Sequence, residues 1–475
     1  MKEHAVDLCV IGAGSAGLAA TSLAAQLGAR VVLVERDKMG GECLNDGCVP
    51  SKALLAAAKA AHAQRSSGRF GVAAVEPRID FAAVRAHVRS AIAAIAPHDS
   101  AERFESLGAQ VMRGEARFVE PRLLMVGDDR IRARRVIIAS GAGPALPKID
   151  GLHEVPFLTN ETIFDNRELP EHLLVIGGGP LGIELAQAHL RLGARVSVVA
   201  DGKALPRDDA ELAGRLLKML AAEGLALREN ANIGAVRRHG ERIVLSLDEG
   251  GQRSQLEGSH LLVAAGRKPE LAALDLERGG VRFDEHGIAV DAKLRTSARG
   301  VFAIGDVVAK APRFTHVGSY HAGVAVQNAL LVPFAKTDYA SLPWVTYCDP
   351  ELAHVGASED DARKRYGDAV RAVKVELQAN DRAQTEAATG GALKLLAHEN
   401  GRVLGVSILA PNAGELAHLW VAAIGARWKL KTLARMIAPY PTFGELNKAA
   451  AAEFYKPKLF GAWPRRVVKL FSHLP

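Results

Sequence analysis

Cysteine is scarce in this sequence, with four residues in a chain of 475. Such a low content excludes a secreted scaffold held together by disulfides and indicates a reducing compartment, so we expect a cytoplasmic protein. The N-terminal residues lead directly into an apolar strand over residues 6–11, which leaves no room for a signal peptide. In a reducing compartment, two cysteines that stand close together are more typical of catalysis than of structure.

Long apolar runs and basic blocks are also missing. No apolar stretch is long enough to span a bilayer. The net charge of +7 is spread along the chain, and no block of Lys and Arg interleaved with aromatic residues predicts nucleic-acid binding. The 48% hydrophobic and 24% charged contents are those of a globular protein. The length allows about three domains.

A unit of apolar strand, glycine loop and apolar helix occurs twice. The loop glycines are Gly12, Gly14 and Gly17 in the first unit and Gly177, Gly179 and Gly182 in the second. Glycine at these positions permits a tight turn, close approach of a pyrophosphate to the backbone, and close helix–strand packing. One such loop is weak support for a nucleotide site. Two in the required context predict an α/β fold with two Rossmann-like (β-α-β, GxGxxG) dinucleotide-binding domains.

The residue at the end of the following strand tests this interpretation, because an acidic side chain there binds the ribose hydroxyls. In the first unit that residue is Glu35. In the second unit it is Ala200, followed by Asp201. Asp201 argues against a 2′-phosphate, whereas Lys203 and Arg207 argue for one. The choice between NAD and NADP therefore stays open.

Cys43 and Cys48 lie shortly after the first glycine loop. Zinc ligand pairs come with a second pair, and the other cysteines, Cys9 and Cys348, are isolated, so we predict no metal site. In a regular helix, Cα atoms five residues apart are separated by about 8–9 Å. A disulfide requires less than about 7 Å, so a redox pair needs a distorted turn, which Gly47 permits. The alternative is a buried, inert pair.

Further strands and helices are predicted between and beyond the two units. They are a strand meander at residues 114–118, 122–126 and 130–139, strands at 261–265 and 301–306, a hairpin of 392–397 and 402–409, and a helix at 414–428.

The segment Cys43-Leu44-Asn45-Asp46-Gly47-Cys48-Val49-Pro50-Ser51-Lys52, both glycine loops and the strand end Gly305-Asp306 together closely resemble the class I pyridine nucleotide–disulfide oxidoreductases. The match covers nearly the whole chain and lies nearest the mercuric reductase-like and dihydrolipoamide dehydrogenase-like branches. The resemblance implies FAD on the first unit, NADH or NADPH on the second, and an α+β C-terminal domain that forms a homodimer with active sites across the interface. The implied boundaries are 1–150 and 271–340 for the FAD-binding parts, 151–270 for the NAD(P)-binding domain and 341–475 for the dimerisation domain.

The resemblance also implies the site residues. Those for cofactor binding are Gly12, Gly14, Gly17, Glu35, Gly41, Lys52, Ala116, Ser140, Gly141 and Asp306 for FAD, and Gly177, Gly179, Gly182, Ala200, Asp201, Gly266 and Arg267 for the remaining nucleotide contacts. Electrons are expected to pass from NAD(P)H through FAD to a Cys43–Cys48 disulfide. Cys48 is expected to face the flavin and Cys43 to exchange with the substrate. Lys52, paired with Glu184, is expected near the flavin.

The substrate end departs from the disulfide-reducing relatives. They carry His-Pro-Thr followed by Glu, whereas this chain reads Tyr440-Pro441-Thr442-Phe443-Gly444-Glu445. Tyrosine has an unperturbed pKa of about 10, so Tyr440 is a poor general base but can donate a hydrogen bond. Tyrosine here resembles mercuric reductase, although the C-terminal thiol pair and the N-terminal metal-binding domain of that enzyme are absent from this sequence.

We therefore predict an FAD-dependent NAD(P)H oxidoreductase that passes electrons to a metal ion, a quinone or a small disulfide. Dihydrolipoamide dehydrogenase proper is one alternative, and a redox sensor or membrane-associated scaffold without turnover is another. The basic, aromatic tail over residues 457–475 is interpreted first as a dimer-packing arm, with peripheral membrane contact as the less favoured reading.

Overall fold

The computed structural model describes residues 2–472. The predicted tail therefore extends beyond the described residues at positions 473–475. The strands are β1 (Glu3–Ile11), β2 (Val31–Glu35), β3 (Ala109–Arg113), β4 (Ala116–Glu120), β5 (Leu123–Val126), β6 (Asp129–Ile138), β7 (Ala142–Pro144), β8 (His172–Ile176), β9 (Arg195–Val199), β10 (Ala226–Arg228), β11 (Asn232–His239), β12 (Arg242–Glu249), β13 (Gln252–Gly258), β14 (His260–Val263), β15 (Arg267–Pro269), β16 (Phe283–Asp284), β17 (Gly287–Ile288), β18 (Val301–Ala303), β19 (Pro343–Thr346), β20 (Glu351–Gly356), β21 (Val370–Glu376), β22 (Ala392–His398) and β23 (Val403–Ala410).

The α-helices are α1 (Ser15–Gln26), α2 (Gly41–Asn45), α3 (Cys48–Ser66), α4 (Phe81–Ile95), α5 (Ala101–Ser106), α6 (Pro180–Arg191), α7 (Ala210–Glu223), α8 (Thr315–Leu330), α9 (Glu359–Tyr366), α10 (Asp381–Thr385), α11 (Ala413–Gly425), α12 (Leu430–Ala434), α13 (Glu445–Glu453), α14 (Lys456–Leu459) and α15 (Ala462–Phe471).

The first sheet has the order β3-β2-β1-β6-β5-β4, and β18 pairs with β6. The pairs β1–β2, β1–β6, β2–β3 and β6–β18 are parallel. Parallel strands of this kind are covered on both faces, which explains why all five residues of β2 are buried. Because β18 returns to this sheet from far along the chain, the turn after it lies beside the first glycine loop.

The second sheet has the order β10-β9-β8-β14, and its pairs are parallel. The loop between β8 and α6 contains the second set of glycines, as the first set lies between β1 and α1. The predicted pair of Rossmann-like units is confirmed. The predicted meander is also confirmed as β4, β5 and β6, whereas the antiparallel sheet β11-β12-β13 was not predicted.

The C-terminal part contains an antiparallel sheet of order β19-β20-β23-β22-β21 packed against helices. Its core includes Trp420, which is fully buried on α11 and donates a 2.7 Å hydrogen bond to Asn447. The predicted hairpin corresponds to β22 and β23, and the predicted helix to α11. The predicted α+β class of this domain is confirmed.

Candidate active site

The two neighbouring cysteines lie on either side of a break between two helices. Cys43 belongs to the short helix α2, and Cys48 is the first residue of α3. Gly47 between them has φ −136° and ψ −108°, which lies outside the helical region. A Cβ at this glycine would lie 3.0 Å from the carbonyl oxygen of Glu42, so the turn is also tightly packed. The expected distortion at Gly47 is confirmed, and it takes the form of a complete helix break.

The two thiols have opposite electrostatic environments. Both are free thiols in the structure. The pKa of Cys48 is lowered to about 6, first by a hydrogen bond from Cys43 and then by the hydroxyl of Thr315, which lies 3.3 Å from its Sγ, and by the charge of Lys52. The pKa of Cys43 is raised, chiefly because its thiol donates to Cys48. Near neutral pH, the pair therefore carries its negative charge on Cys48.

Lys52 lies one helical turn after Cys48 and is held by Glu184. Its Nζ donates a 2.7 Å hydrogen bond to Oε2 of Glu184, which is buried on α6. The other carboxylate oxygen of Glu184 accepts a 2.9 Å hydrogen bond from the backbone N–H of Tyr347. The ring of Tyr347 lies 4.4 Å from the Lys52 Nζ, close enough for a cation–π contact. The structure thus brings together the predicted pair, and it adds Tyr347 and Thr315, which the sequence analysis missed.

The other two cysteines are isolated from this chemistry. Cys9 lies in the middle of β1 and Cys348 precedes β20, and both are buried. Burial raises the pKa of Cys9 to about 12 and raises that of Cys348 well above its usual value. A buried, protonated thiol is a poor nucleophile. Among the four cysteines, Cys43 and Cys48 are therefore the reactive ones.

A charged cluster lies directly beside the thiols. Glu42, the residue before Cys43, forms an ion pair with Arg267 and accepts a 2.9 Å hydrogen bond from Asn160. The Nε of Arg267 lies 3.2 Å from Oδ2 of Asp306, yet this buried atom has no well-oriented hydrogen bond among the described residues. Burial raises the pKa of both Glu42 and Asp306 although Arg267 opposes the shift. The predicted Asp306 and Arg267 therefore meet, and Glu42 is an unpredicted third member.

The first glycine loop forms a cradle without side chains. A Cβ on Gly17 would collide with the carbonyl oxygen of Gly12, which itself has φ +101°. By contrast, a Cβ on Gly14 would meet only the Cα of Gly41, at 3.9 Å. No side chain from the described part of the chain caps the N-terminus of α1. Free backbone N–H groups at a helix N-terminus favour a phosphate ligand.

A cleft continues from this cradle and contains the predicted residues Gly12, Glu35, Ala116 and Ser140. Glu35 is buried at the end of β2, and its carboxylate accepts hydrogen bonds from the N–H groups of Ala13 and Asp37. Its position therefore matches the acidic residue that contacts a ribose.

Two hydrogen bonds join the far side of the cleft to the loop after β15. Ser140 donates a 2.8 Å bond to the carbonyl oxygen of Glu270. The neighbouring Gly141, at φ +74°, accepts a 3.1 Å bond from the Glu270 N–H. The bare cradle and this cleft fit the ADP and pyrophosphate parts of FAD.

The second glycine loop repeats this geometry with a different strand end. Gly177 has φ +119°, a Cβ on Gly182 would collide with its carbonyl oxygen, and a Cβ on Gly179 would meet nothing. At the end of β9, Ala200 is buried and Asp201 is exposed. These residues fit a second dinucleotide.

The backbone of the loop after β9 is hydrogen-bonded to an acidic side chain that the sequence analysis missed. Glu229, just after β10, accepts a 2.7 Å hydrogen bond from the Ala204 N–H. The predicted Gly266 has φ +131° and precedes Arg267. The loop backbone is thus held by a carboxylate from a neighbouring strand end.

Tyr440 and Glu445 lie in the C-terminal domain. The Tyr440 side chain is 71% exposed, and its hydroxyl donates a 2.9 Å hydrogen bond to Asp381. That bond raises the pKa of Tyr440. Glu445 accepts a 3.3 Å hydrogen bond from the backbone N–H of Thr442. Within the described residues of one protomer, no hydrogen bond connects these side chains with the thiols.

Residues 2–472 contain neither a metal-binding cluster nor a membrane-spanning helix. No group of three His, Cys, Asp or Glu side chains is arranged to hold a metal ion there. Every helix in this range is too short or too polar to cross a bilayer.

Comparison with known families gives a match over most of the chain. Residues 6–323 match the family model described as pyridine nucleotide-disulphide oxidoreductase, and residues 342–451 match the dimerisation domain of the same family. The chain belongs to this family. This pyridine nucleotide–disulphide oxidoreductase is an FAD-dependent NAD(P)H enzyme that acts through a disulfide, as the resemblance implied. The dimerisation domain supports homodimer formation.

Several relatives of this oxidoreductase match along nearly their whole length. A mercuric reductase of Streptomyces lividans is 36% identical over 456 residues, covering 94% of this chain and 96% of the relative. A dihydrolipoyl dehydrogenase of Thermus scotoductus is 36% identical over 461 residues, covering 96% and 98%. The Cu(II) complex of the HOCl-induced flavoprotein disulfide reductase RclA from Escherichia coli has a TM-score of 0.84 at 25% identity, covering 95% of this chain and 99% of that one.

Proposed function

We propose that this oxidoreductase reduces a thiophilic metal ion with electrons from NAD(P)H. The observation that carries the proposal is the pair of neighbouring thiols. The exposed Cys48 is ionised as a thiolate, whereas Cys43 stays protonated. Two adjacent sulfur ligands favour soft ions such as copper. Mercuric reductases among the relatives, and a Cu(II) complex of a disulfide reductase with the same fold, support this acceptor class.

The proposed roles of the two cysteines differ. Cys48 is the thiolate that faces the flavin, because Thr315 and Lys52 both stabilise its negative charge. Cys43 is the thiol that exchanges with the acceptor. Its raised pKa keeps the proton until the acceptor ion displaces it. FAD, when bound, supplies two-electron transfer between the nicotinamide and the thiol pair.

Lys52 and Glu184 are proposed as residues that position charge. Lys52 holds a positive charge close to Cys48, and Glu184 fixes the direction of Lys52 from the nicotinamide-binding unit. Glu42, Arg267 and Asp306 are proposed to hold the pyrophosphate and ribityl region of FAD.

A small disulfide is the less favoured acceptor because the proposed site lacks a general base. Tyr440 stands at the position where disulfide-reducing relatives carry histidine, and its hydrogen bond to Asp381 makes it an even weaker acid. We propose that Tyr440 and Glu445 reach the partner's thiols across the dimer, where Tyr440 acts as a hydrogen-bond donor to a bound ion's ligands.

The nicotinamide preference and the domain limits are also proposals. The buried Ala200 removes the acidic side chain from the ribose position, and the exposed Lys203 and Arg207 offer positive charge to a 2′-phosphate. We therefore favour NADPH, with Asp201 as the opposing charge. We propose the domain boundaries 1–150 and 271–340 for the FAD-binding domain, 151–270 for the NAD(P)-binding domain and 341–475 for the dimerisation domain. With these boundaries, every sheet except the β7–β15 pair lies within a single domain. Strand β18, in the second FAD-binding part, pairs with β6 in the first.

The deciding experiment is an anaerobic titration of the FAD-loaded protein with NADH and NADPH in parallel, followed by an acceptor panel. The panel contains Cu(II), Hg(II), a quinone, lipoamide and glutathione disulfide. We expect steady NADPH oxidation with a metal ion, and one NADPH should reduce two Cu(II) to Cu(I). Cys43→Ser should abolish this turnover, and Cys9→Ser serves as the matched control because Cys9 is buried. Reduction that stops after one equivalent would instead support a redox sensor, and turnover with lipoamide alone would support a dihydrolipoamide dehydrogenase.

A further inference from the structure

The C-terminal segment from Lys456 to Ser472 forms two helices that expose their apolar side chains. In α14, Leu459 is 60% exposed, and in α15 Trp463 and Phe471 are 74% and 62% exposed. No residue of α15 is buried. Large apolar side chains that remain this exposed in one contiguous segment are typical of a surface that binds a partner.

The apolar and basic residues of α15 lie on opposite sides of the helix. Trp463, Val467, Leu470 and Phe471 have the spacing i, i+4, i+7 and i+8, which places them on one face. Arg465 and Lys469 fall on the opposite face, and Arg466 lies at the boundary between the two faces. Within the described part of the chain, none of these three cations forms an ion pair.

The charge of the whole segment has one sign. Between Phe454 and Ser472 the sequence contains Lys456, Lys458, Arg465, Arg466 and Lys469 but neither Asp nor Glu. Such a helix lies in the interface of a bilayer with its apolar face among the acyl chains and its cations among anionic headgroups. The aromatic residues Trp463 and Phe471 suit this depth, because interfacial helices carry Trp and Phe on the buried face.

The segment also lies outside the matched dimerisation domain. The family match ends at residue 451, before α14 begins at Lys456. A second copy of the chain could cover the apolar face, but it would leave the cations of the opposite face without a partner. An anionic bilayer covers the apolar face with acyl chains and also neutralises the cations with its headgroups.

We propose that residues 456–472 are a peripheral anchor that docks the enzyme on an anionic lipid bilayer. The sequence analysis had preferred a dimer-packing arm for this tail. The opposed apolar and basic faces of α15 and the exposure of both helices favour the membrane instead. Docking of this kind is independent of the nature of the electron acceptor.

Vesicle flotation of the full-length, FAD-loaded protein tests the proposal. The probes are vesicles of phosphatidylcholine alone and of phosphatidylcholine mixed with phosphatidylglycerol. We expect at least tenfold more bound protein with the anionic vesicles at low salt, and a loss of binding as salt rises. The variant Arg465→Glu, Arg466→Glu, Lys469→Glu should lose binding. So should the variant Trp463→Ser, Leu470→Ser, Phe471→Ser, although its charge is unchanged.

A charge-matched control separates docking from a general electrostatic effect. Arg278, Arg282 and Arg299 are exposed in another part of the fold, and their triple change to Glu alters the net charge equally. This control should keep its vesicle binding. Equal loss in the control, or equal binding to neutral and anionic vesicles, would overturn the proposal.

A measurement of oligomeric state tests whether the segment instead joins two copies of the chain. Light scattering after size-exclusion chromatography should give the same number of protomers for the full chain and for a chain ended after Gly461. A shorter chain that becomes monomeric would overturn the membrane assignment.

The tryptophan emission of the full chain should shift to the blue on anionic vesicles, and Trp463→Phe should lose the shift while binding as before. A shift that persists in Trp463→Phe would also count against docking through α15.

Discussion

Nζ of Lys52 lies 2.7 Å from Oε2 of Glu184, and this contact joins the helix that begins at Cys48 to the helix that follows the second glycine loop. Glu184 is buried, whereas Lys52 is partly exposed. The carboxylate is therefore the fixed partner and the ammonium the adjustable one. A positive charge is thereby held next to the thiol pair by a carboxylate of the second Rossmann-like unit.

Replacing Lys52 by Met should raise the pKa of Cys48, because the positive charge that stabilises its thiolate is removed. We expect a rise of roughly one unit, equivalent to about 1.4 kcal/mol. The pH dependence of iodoacetamide alkylation of the reduced protein measures it. Lys59→Met on the same helix is the matched control and should leave the alkylation profile unchanged. An unaltered profile in Lys52→Met would show that its charge does not act on the thiolate.

The hydroxyl of Thr315 should contribute to the same pKa by a hydrogen bond. In the unmodified protein, alkylation of Cys48 should increase as the pH rises through about 6 and then level off, because the thiolate is the nucleophile. Thr315→Val keeps the shape but removes the hydroxyl, so its profile should move to higher pH by about half a unit. Thr315→Ser should restore the original profile. A profile in Thr315→Ser that matches the Val variant would contradict this account.

Local sequence patterns predicted those parts of the site that depend on neighbouring residues. The glycines around Gly12, the acid at Glu35 and the pair of cysteines each follow from spacing within one strand–loop–helix unit. Thr315 and Tyr347 were missed because they come from distant segments, and only the folded chain places them near Cys48 and Lys52. The Lys52–Glu184 contact was expected only because the family resemblance supplied it.

Two omissions had a signal that the sequence analysis did not use. Glu42 directly precedes Cys43, and an acidic residue that will be buried near a cofactor needs a cation. The strand β12 has alternating burial along Arg242–Glu249, which matches the apolar alternation of Ile243, Leu245 and Leu247. By contrast, no local pattern could show that β18 pairs with β6.

The first glycine loop offers a pair of variants that separate cofactor binding from folding. Gly17→Ala places a Cβ against the carbonyl oxygen of Gly12 and should destabilise the protein by about 1–3 kcal/mol. Gly14→Ala meets only the Gly41 Cα at 3.9 Å, and its φ of −77° suits alanine. The apoprotein of Gly14→Ala should therefore unfold at nearly the unmodified temperature.

The flavin content of the same two variants then tests the cradle. Gly14→Ala fills space that we assign to the pyrophosphate, so its flavin absorbance per protein should fall at least tenfold after purification. Thermal unfolding of the apoproteins and flavin absorbance together provide the measurement. Full flavin content in a folded Gly14→Ala protein would show that the cofactor does not approach this loop.

Tyr440→His should raise the rate at which the enzyme reduces small disulfides. Histidine has an unperturbed pKa of about 6.5, so it can accept and return a proton near neutral pH. General acid–base catalysis is worth about 10²–10⁴-fold, and we expect at least a tenfold gain in lipoamide turnover. Tyr440→Phe removes the hydroxyl without supplying a base and should show no gain. Lipoamide turnover that stays unchanged in a Tyr440→His variant that still dimerises would show that the missing histidine does not explain the acceptor preference. The proposed choice of a metal ion over a disulfide would then lose its main support.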